Sequence, residues 1–195
     1  MGTMEFFFVL DFRGRFRFFS SHPAEEIQVE FSRLKRIWEA AREKLMLLPP
    51  RILRQEQAFE RALKLETSEV TIKHARSTPE KKIRRRFFFF LQKQRSKHIV
   101  LIILETLLLP VSGLMALLPG PNVFFGILAL LLLTHWQALR GINRLGRMKP
   151  HFIPSELLGT WEGKLETGDT VEYAEVLSRI ESEYRIADAA KILFK

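Results

Sequence analysis

The stretch HIVLIILETLLLPVSGLMALLPGPNVFFGILALLLLTHWQAL, residues 98–139, decides the fold, because Glu105 is the one full charge it holds. At the rise of an α-helix, residues 98–118 span about 31 Å and residues 122–139 about 27 Å. The hydrocarbon core of a bilayer is about 30 Å thick, so each segment is long enough to cross it. Between them Pro119, Gly120 and Pro121, followed by Asn122, form a turn that stops one helix and starts the next. The reading is a transmembrane helical hairpin; a soluble domain would need far more apolar partners than the remaining chain offers. The expected fold class is a mainly α integral membrane protein. It has a two-helix transmembrane hairpin, an inner-side helical domain and a short N-terminal β-hairpin.

Charge is segregated around this stretch. Of 195 residues carrying a net +9, residues 1–97 contribute +10, residues 98–139 contribute −1, and residues 140–195 sum to zero. A surplus of cations before an apolar segment points to an anionic surface. Lys93, Arg95, Lys97 and His98 precede the first helix, and Arg140, Arg144, Arg147 and Lys149 follow the second, while the turn is uncharged. Cationic flanks stay on the inner side, so both termini are expected there, in a multi-pass arrangement. A shallow re-entrant wedge is the alternative.

Glu105 gains meaning from the hairpin. With the turn centred near residue 120, depth pairs positions whose numbers sum to about 240, and position 105 then faces His135. A carboxylate and an imidazole at one level can share a proton. Thr106 and Thr134 lie near the same depth, and Pro110 removes an amide donor and frees the Thr106 carbonyl. Freed carbonyls with a carboxylate also suit a desolvated alkali cation. Glu105, His135, Thr106 and Thr134 are therefore the proton- or cation-binding candidates. The bland reading is a Glu105 that reaches the surface or pairs with His98 or Arg140.

The rest divides by pattern. Residues 1–24 hold two short aromatic strands around Arg13 and Gly14, a hairpin that needs further packing to be stable. Residues 25–72 read as a helical hairpin. Ile27, Phe31, Leu34, Trp38, Ala41, Leu45 and Leu48 step by four and three, Pro49 and Pro50 interrupt, and Ile52, Phe59 and Leu63 resume. Residues 73–97 read as a basic juxtamembrane helix started by STPE, residues 77–80, with ten Lys or Arg against Glu80 alone. Its lipid-surface candidates are Lys81, Lys82, Arg84, Arg85, Arg86, Lys93, Arg95 and Lys97, with Arg140 from the far side. Basic and aromatic residues together also occur on nucleic-acid surfaces, but adjacency to the span favours anionic lipid. Residues 140–168 read as a connector. Residues 169–195 read as a helical module begun by an Asp169/Glu172 capping box, with Val176, Leu177, Ile180, Ile186, Ala189 and Ile192 apolar.

No cysteine is present, which excludes disulfides and thiolate sites. No phosphate loop, metal-ligand histidine spacing or nucleophile set stands out, so neither an enzyme nor a cofactor is expected.

Pro110, then LLPGPNVFF (117–125) and THWQALRGINRL (134–145), together resemble the mitochondrial potassium/proton exchange-related family. QEQAFERAL (55–63) and IESEYRIADAAKIL (180–193) are similar to it more loosely. The resemblance implies a part in potassium/proton exchange, as a subunit or regulator of an exchanger. The rival is a membrane-anchored scaffold or adaptor without transport activity. Two helices cannot enclose a pathway that opens alternately to two faces, so a homo-oligomer or a partner membrane protein is expected. The N-terminus lacks presequence character, which favours a bacterial inner membrane over the mitochondrial one.

Overall fold

The computed structural model describes residues 4–20, 50–65, 68–114, 123–167, 170–184, 186 and 193. Along the chain these form β1 (Met4–Leu10), β2 (Phe16–Ser20), α1 (Pro50–Lys64), β3 (Glu69–Ala75) and α2 (Glu80–Leu114). Then follow α3 (Val123–Leu145), β4 (Lys149–Ser155), α4 (Glu156–Thr167) and α5 (Thr170–Tyr184). The fold is mixed α/β, with five helices and a four-stranded sheet among the described residues. That overturns the expected mainly α membrane protein built on a two-helix transmembrane hairpin. Among the described residues one helix, over Glu80–Gly113, is long and apolar enough to cross a membrane by length and composition. The other, α3, starts only at Val123 and takes Arg140 and Arg144 into its last turns, which leaves its apolar run short. The expected 25–48 helix and the turn at Pro119, Gly120 and Pro121 lie outside the described residues, as do Asp169, Ala189 and Ile192.

The chain divides into two compact units: residues 1–4, 59–70 and 79–151 in one, and residues 5–58, 71–78 and 152–195 in the other.

The sheet runs β2-β1-β3-β4. β1 is central, and its apolar run FFFVL, Phe6 to Leu10, is what a strand covered on both faces needs. It pairs antiparallel with β2 in the register Phe6↔Ser20 to Leu10↔Phe16. Phe8 lies against its direct partner Phe18 and its diagonal neighbour Phe16, each at 4.8 Å between ring centroids. The two N-terminal strands are thus part of a larger sheet, which supplies the packing a lone ribbon lacks. β4, KPHFIPS, holds two prolines and was expected to be connector. It forms at the sheet edge, where a strand tolerates a missing amide donor. β3 alternates, with Val70, Ile72 and His74 buried, within a stretch expected to be helical.

The turn between β1 and β2 is organised by Asp11, which is 1% exposed. Its Oδ1 accepts the amides of Arg13 at 3.0 Å and Arg15 at 2.8 Å, and its Oδ2 accepts the Arg17 guanidinium. Gly14 takes φ 67°, a left-handed conformation that glycine adopts without a Cβ penalty. Burial pushes the Asp11 carboxyl up, but the Arg15 amide, the Arg17 guanidinium and the Arg13 amide outweigh it and hold the group below its ordinary value. A carboxyl depressed by folding stabilises above its unfolded value and loses that stabilisation as pH falls through the folded one. Asp11→Ala should therefore cost about 2 kcal/mol at neutral pH, the scale of charge-assisted hydrogen bonds. The difference from wild type should close as denaturation is followed into acid. An equal cost at all pH would refute the charge-based account.

Over the sheet's unit lies a core of Phe7, Val9, Leu158, Trp161, Tyr173 and their apolar neighbours on α4 and α5. The Trp161 indole N–H donates to the Leu10 carbonyl at 2.9 Å, and Phe12 meets Trp161 and Tyr173 edge-on. Ser155 caps α4 by accepting the Leu158 amide at 3.3 Å.

In the other unit α2 and α3 pack along each other. The inward seam of α2 carries Ile83, Phe87, Leu91, His98, Glu105 and Ser112, all buried. The seam of α3 carries Thr134, His135, Ala138, Gly141, Ile142 and Leu145. Each set follows the three- and four-residue steps of one helix face. The C-terminal end of α1 is tied to α3 by Arg144, whose guanidinium donates to the carbonyls of Leu63, at 3.2 Å, and Leu65. Those are carbonyls that a helix end leaves without intrahelical donors.

Candidate functional site

Three titratable side chains meet on the α2–α3 seam. Glu105 Oε1 lies 3.3 Å from His135 Nε2, and His135 Nδ1 lies 3.2 Å from His98 Nδ1. The side chains of Glu105 and His135 are 8% and 9% exposed, and His98 is fully buried. The imidazole rings stand 5.2 Å apart, and Phe59 sets its ring edge-on to His98 at 6.2 Å. Glu105 Oε2 is buried and meets no hydrogen-bond partner among the described residues. A buried carboxylate is costly unless paired or protonated.

The two contacts have the geometry that a proton transfer along the line would need. When His98 is an imidazolium and Glu105 a carboxylate, His98 donates through Nδ1 to His135 Nδ1, and His135 donates through Nε2 to Glu105. If both protons move one hydrogen bond along, Glu105 becomes a neutral acid, His98 a neutral imidazole, and His135 has switched tautomer. One positive charge has then crossed from His98 to Glu105 without any side chain moving. Imidazole suits the middle of such a line, because one ring nitrogen can accept as the other donates.

Local sequence positions each member. His98 and Glu105 are seven residues, or about two turns, apart on α2 and so share its inward face. His135 sits one turn before Ala138, a small residue that permits close approach of the helices. The depth pairing of 105 with 135 appears as a direct contact. By sequence His98 stands in the cationic flank and as a possible partner of Glu105; its seven-residue spacing from Glu105 is the signal that places it in line. Thr134 is buried beside His135, whereas Thr106 is exposed on α2. Pro110 lies inside α2 without ending it. The nine lipid-surface candidates, Lys81 to Lys97 on α2 and Arg140 on α3, are all exposed.

No curated protein and no solved structure matches the chain. The family described as "Mitochondrial K+-H+ exchange-related" matches residues 17–149, a span that contains β2 from Arg17 on, all of α1, β3, α2 and α3, and the whole His98–His135–Glu105 line. With that match over more than half of its length, the chain belongs to the mitochondrial K+-H+ exchange-related family.

Proposed function

We propose that the chain takes part in potassium/proton exchange at a mitochondrial membrane, as a subunit or regulator of the exchanger and not as an enzyme. The buried His98–His135–Glu105 line carries this reading, because it offers a protonatable path through contacting, buried side chains. The family description supports potassium and protons as the exchanged ions and the mitochondrial setting. Membrane attachment through α2 is supported by its exposed apolar side chains, among them Val100, Ile103, Leu107 and Val111, each more than half exposed. The single candidate span among the described residues cannot enclose a route through the bilayer, so in this reading the exchanger's path includes a second copy or another membrane protein. In that assembly the line supplies or removes the exchanged proton.

Membrane vesicles that contain the chain and its native membrane partners, loaded with potassium and a pH dye, test this. Glu105→Gln and His135→Ala should each lower potassium-driven proton movement by about tenfold or more, in keeping with the loss of a proton-transfer group. Glu105→Gln removes one partner of a buried pair and should lower thermal stability, so circular dichroism must show both variants folded before their exchange rates are compared. Wild-type exchange in both variants would sink the proton role and leave a membrane-anchored scaffold.

A further inference from the structure

Phe89 is 66% exposed in the middle of the basic half of α2. Its helix neighbours at i−7, i−4, i−3 and i+4 are Lys82, Arg85, Arg86 and Lys93, all exposed. Those spacings put the four cations around the ring on one face, opposite the buried Ile83, Phe87 and Leu91. Between Glu80 and Glu105 the sequence has no acid. Farther along the same face the side chains turn aliphatic: Val100, Ile103 and Leu107 are 63%, 55% and 68% exposed. One helix face therefore runs from cations around an aromatic ring to bare hydrocarbon.

That gradient has the polarity of a phospholipid surface. Phosphates attract the cations, a ring at their centre enters the acyl boundary, and the aliphatic continuation meets the chains. A nucleic acid would use the cations and the ring but has no use for the aliphatic run. We infer that the Phe89 patch, with Lys82, Arg85, Arg86 and Lys93, docks on the phosphate layer of an anionic phospholipid membrane. The inference rests on the membrane setting proposed above and is independent of the proton line.

The test is flotation of the full-length protein, diluted from detergent into vesicles of phosphatidylcholine alone or with about 30% phosphatidylglycerol. Each surface cation contributes about fivefold to such binding, so the anionic vesicles should be preferred by about tenfold or more at low salt. The preference should collapse near 0.5 M salt, with a Debye length of about 4 Å. Replacing Lys82, Arg85, Arg86 and Lys93 together by Gln should bring binding down to the neutral-vesicle level. Replacing the exposed Arg13, Arg15, Arg76 and Arg179 by Gln, an equal change in net charge, should keep the preference. Phe89→Ser should weaken attachment to both vesicle types. Equal binding of wild type to both vesicles overturns the inference, as does equal loss in the two charge-matched sets. Displacement from anionic vesicles by a single-stranded oligonucleotide at equal phosphate concentration would assign the patch to nucleic acid instead. Glu105→Gln should bind vesicles like wild type, so a failed proton line leaves this patch standing, and the reverse.

Discussion

Replacing Gly141 by alanine is expected to cost about 3 kcal/mol or more, at the upper end for overpacking a tight contact. A Cβ added at Gly141 would stand 1.8 Å from the Phe59 carbonyl oxygen, 2.6 Å from its carbonyl carbon and 3.1 Å from its Cα. These are backbone atoms, so no rotamer change relieves the clash; the Phe59 end of α1 and α3 must separate. The consequence reaches the site, because the Phe59 ring lies 6.2 Å from His98 and 6.3 Å from Phe90. The contrast is within α4. An added Cβ at Gly159 meets nothing within 4 Å, so Gly159→Ala should be neutral or stabilising by up to about 1 kcal/mol through helix propensity. Chemical denaturation of both variants checks the pair. Gly141→Ala as stable as wild type would mean that α1 does not approach α3 as described.

The second large effect belongs to Trp161. It is fully buried in the α4–α5 core, meets Phe12 at 5.5 Å and Tyr173 at 5.9 Å, and donates its indole N–H to Leu10. Trp161→Ala removes the largest fully buried side chain among the described residues and should cost about 3–5 kcal/mol. Trp161→Phe keeps most of the ring volume but leaves the Leu10 carbonyl without this donor, which should cost about 1–3 kcal/mol. Denaturation followed by far-ultraviolet circular dichroism separates the two. A cost for Trp161→Phe equal to that of Trp161→Ala would make the hydrogen bond, and not the volume, the dominant contribution.

Much of the site was legible before any coordinates. Glu105 stood alone in an apolar stretch, and folding that stretch about its proline-rich turn set it against His135. Both are local facts, one of composition and one of helix rise. His98 was within reach by the same reasoning, since seven residues return a helix to the same face. What hid it was its position at the end of the cation run, where a histidine reads as one more surface residue. Thr106 lies about 100° around α2 from Glu105 and is exposed, whereas Thr134, equally adjacent to His135 on α3, stays buried; adjacency in sequence alone does not separate the two cases.

The amino-acid order by itself determined the strands around Gly14, the helix start at Pro79, the charge segregation and the facing of Glu105 with His135. Each of these depends on neighbours a few residues apart or on one short turn. Only the tertiary structure decided that β3 and β4 join the N-terminal strands in one sheet, giving a mixed fold in place of a mainly α membrane protein with a lone N-terminal β-hairpin. It also decided that Phe59 lies against Gly141. Strand pairing and backbone contact bring together segments tens of residues apart, and no periodicity within either segment encodes its partner. For β4 the local signal even argued against a strand, because its prolines are acceptable only at an edge that the assembled sheet creates.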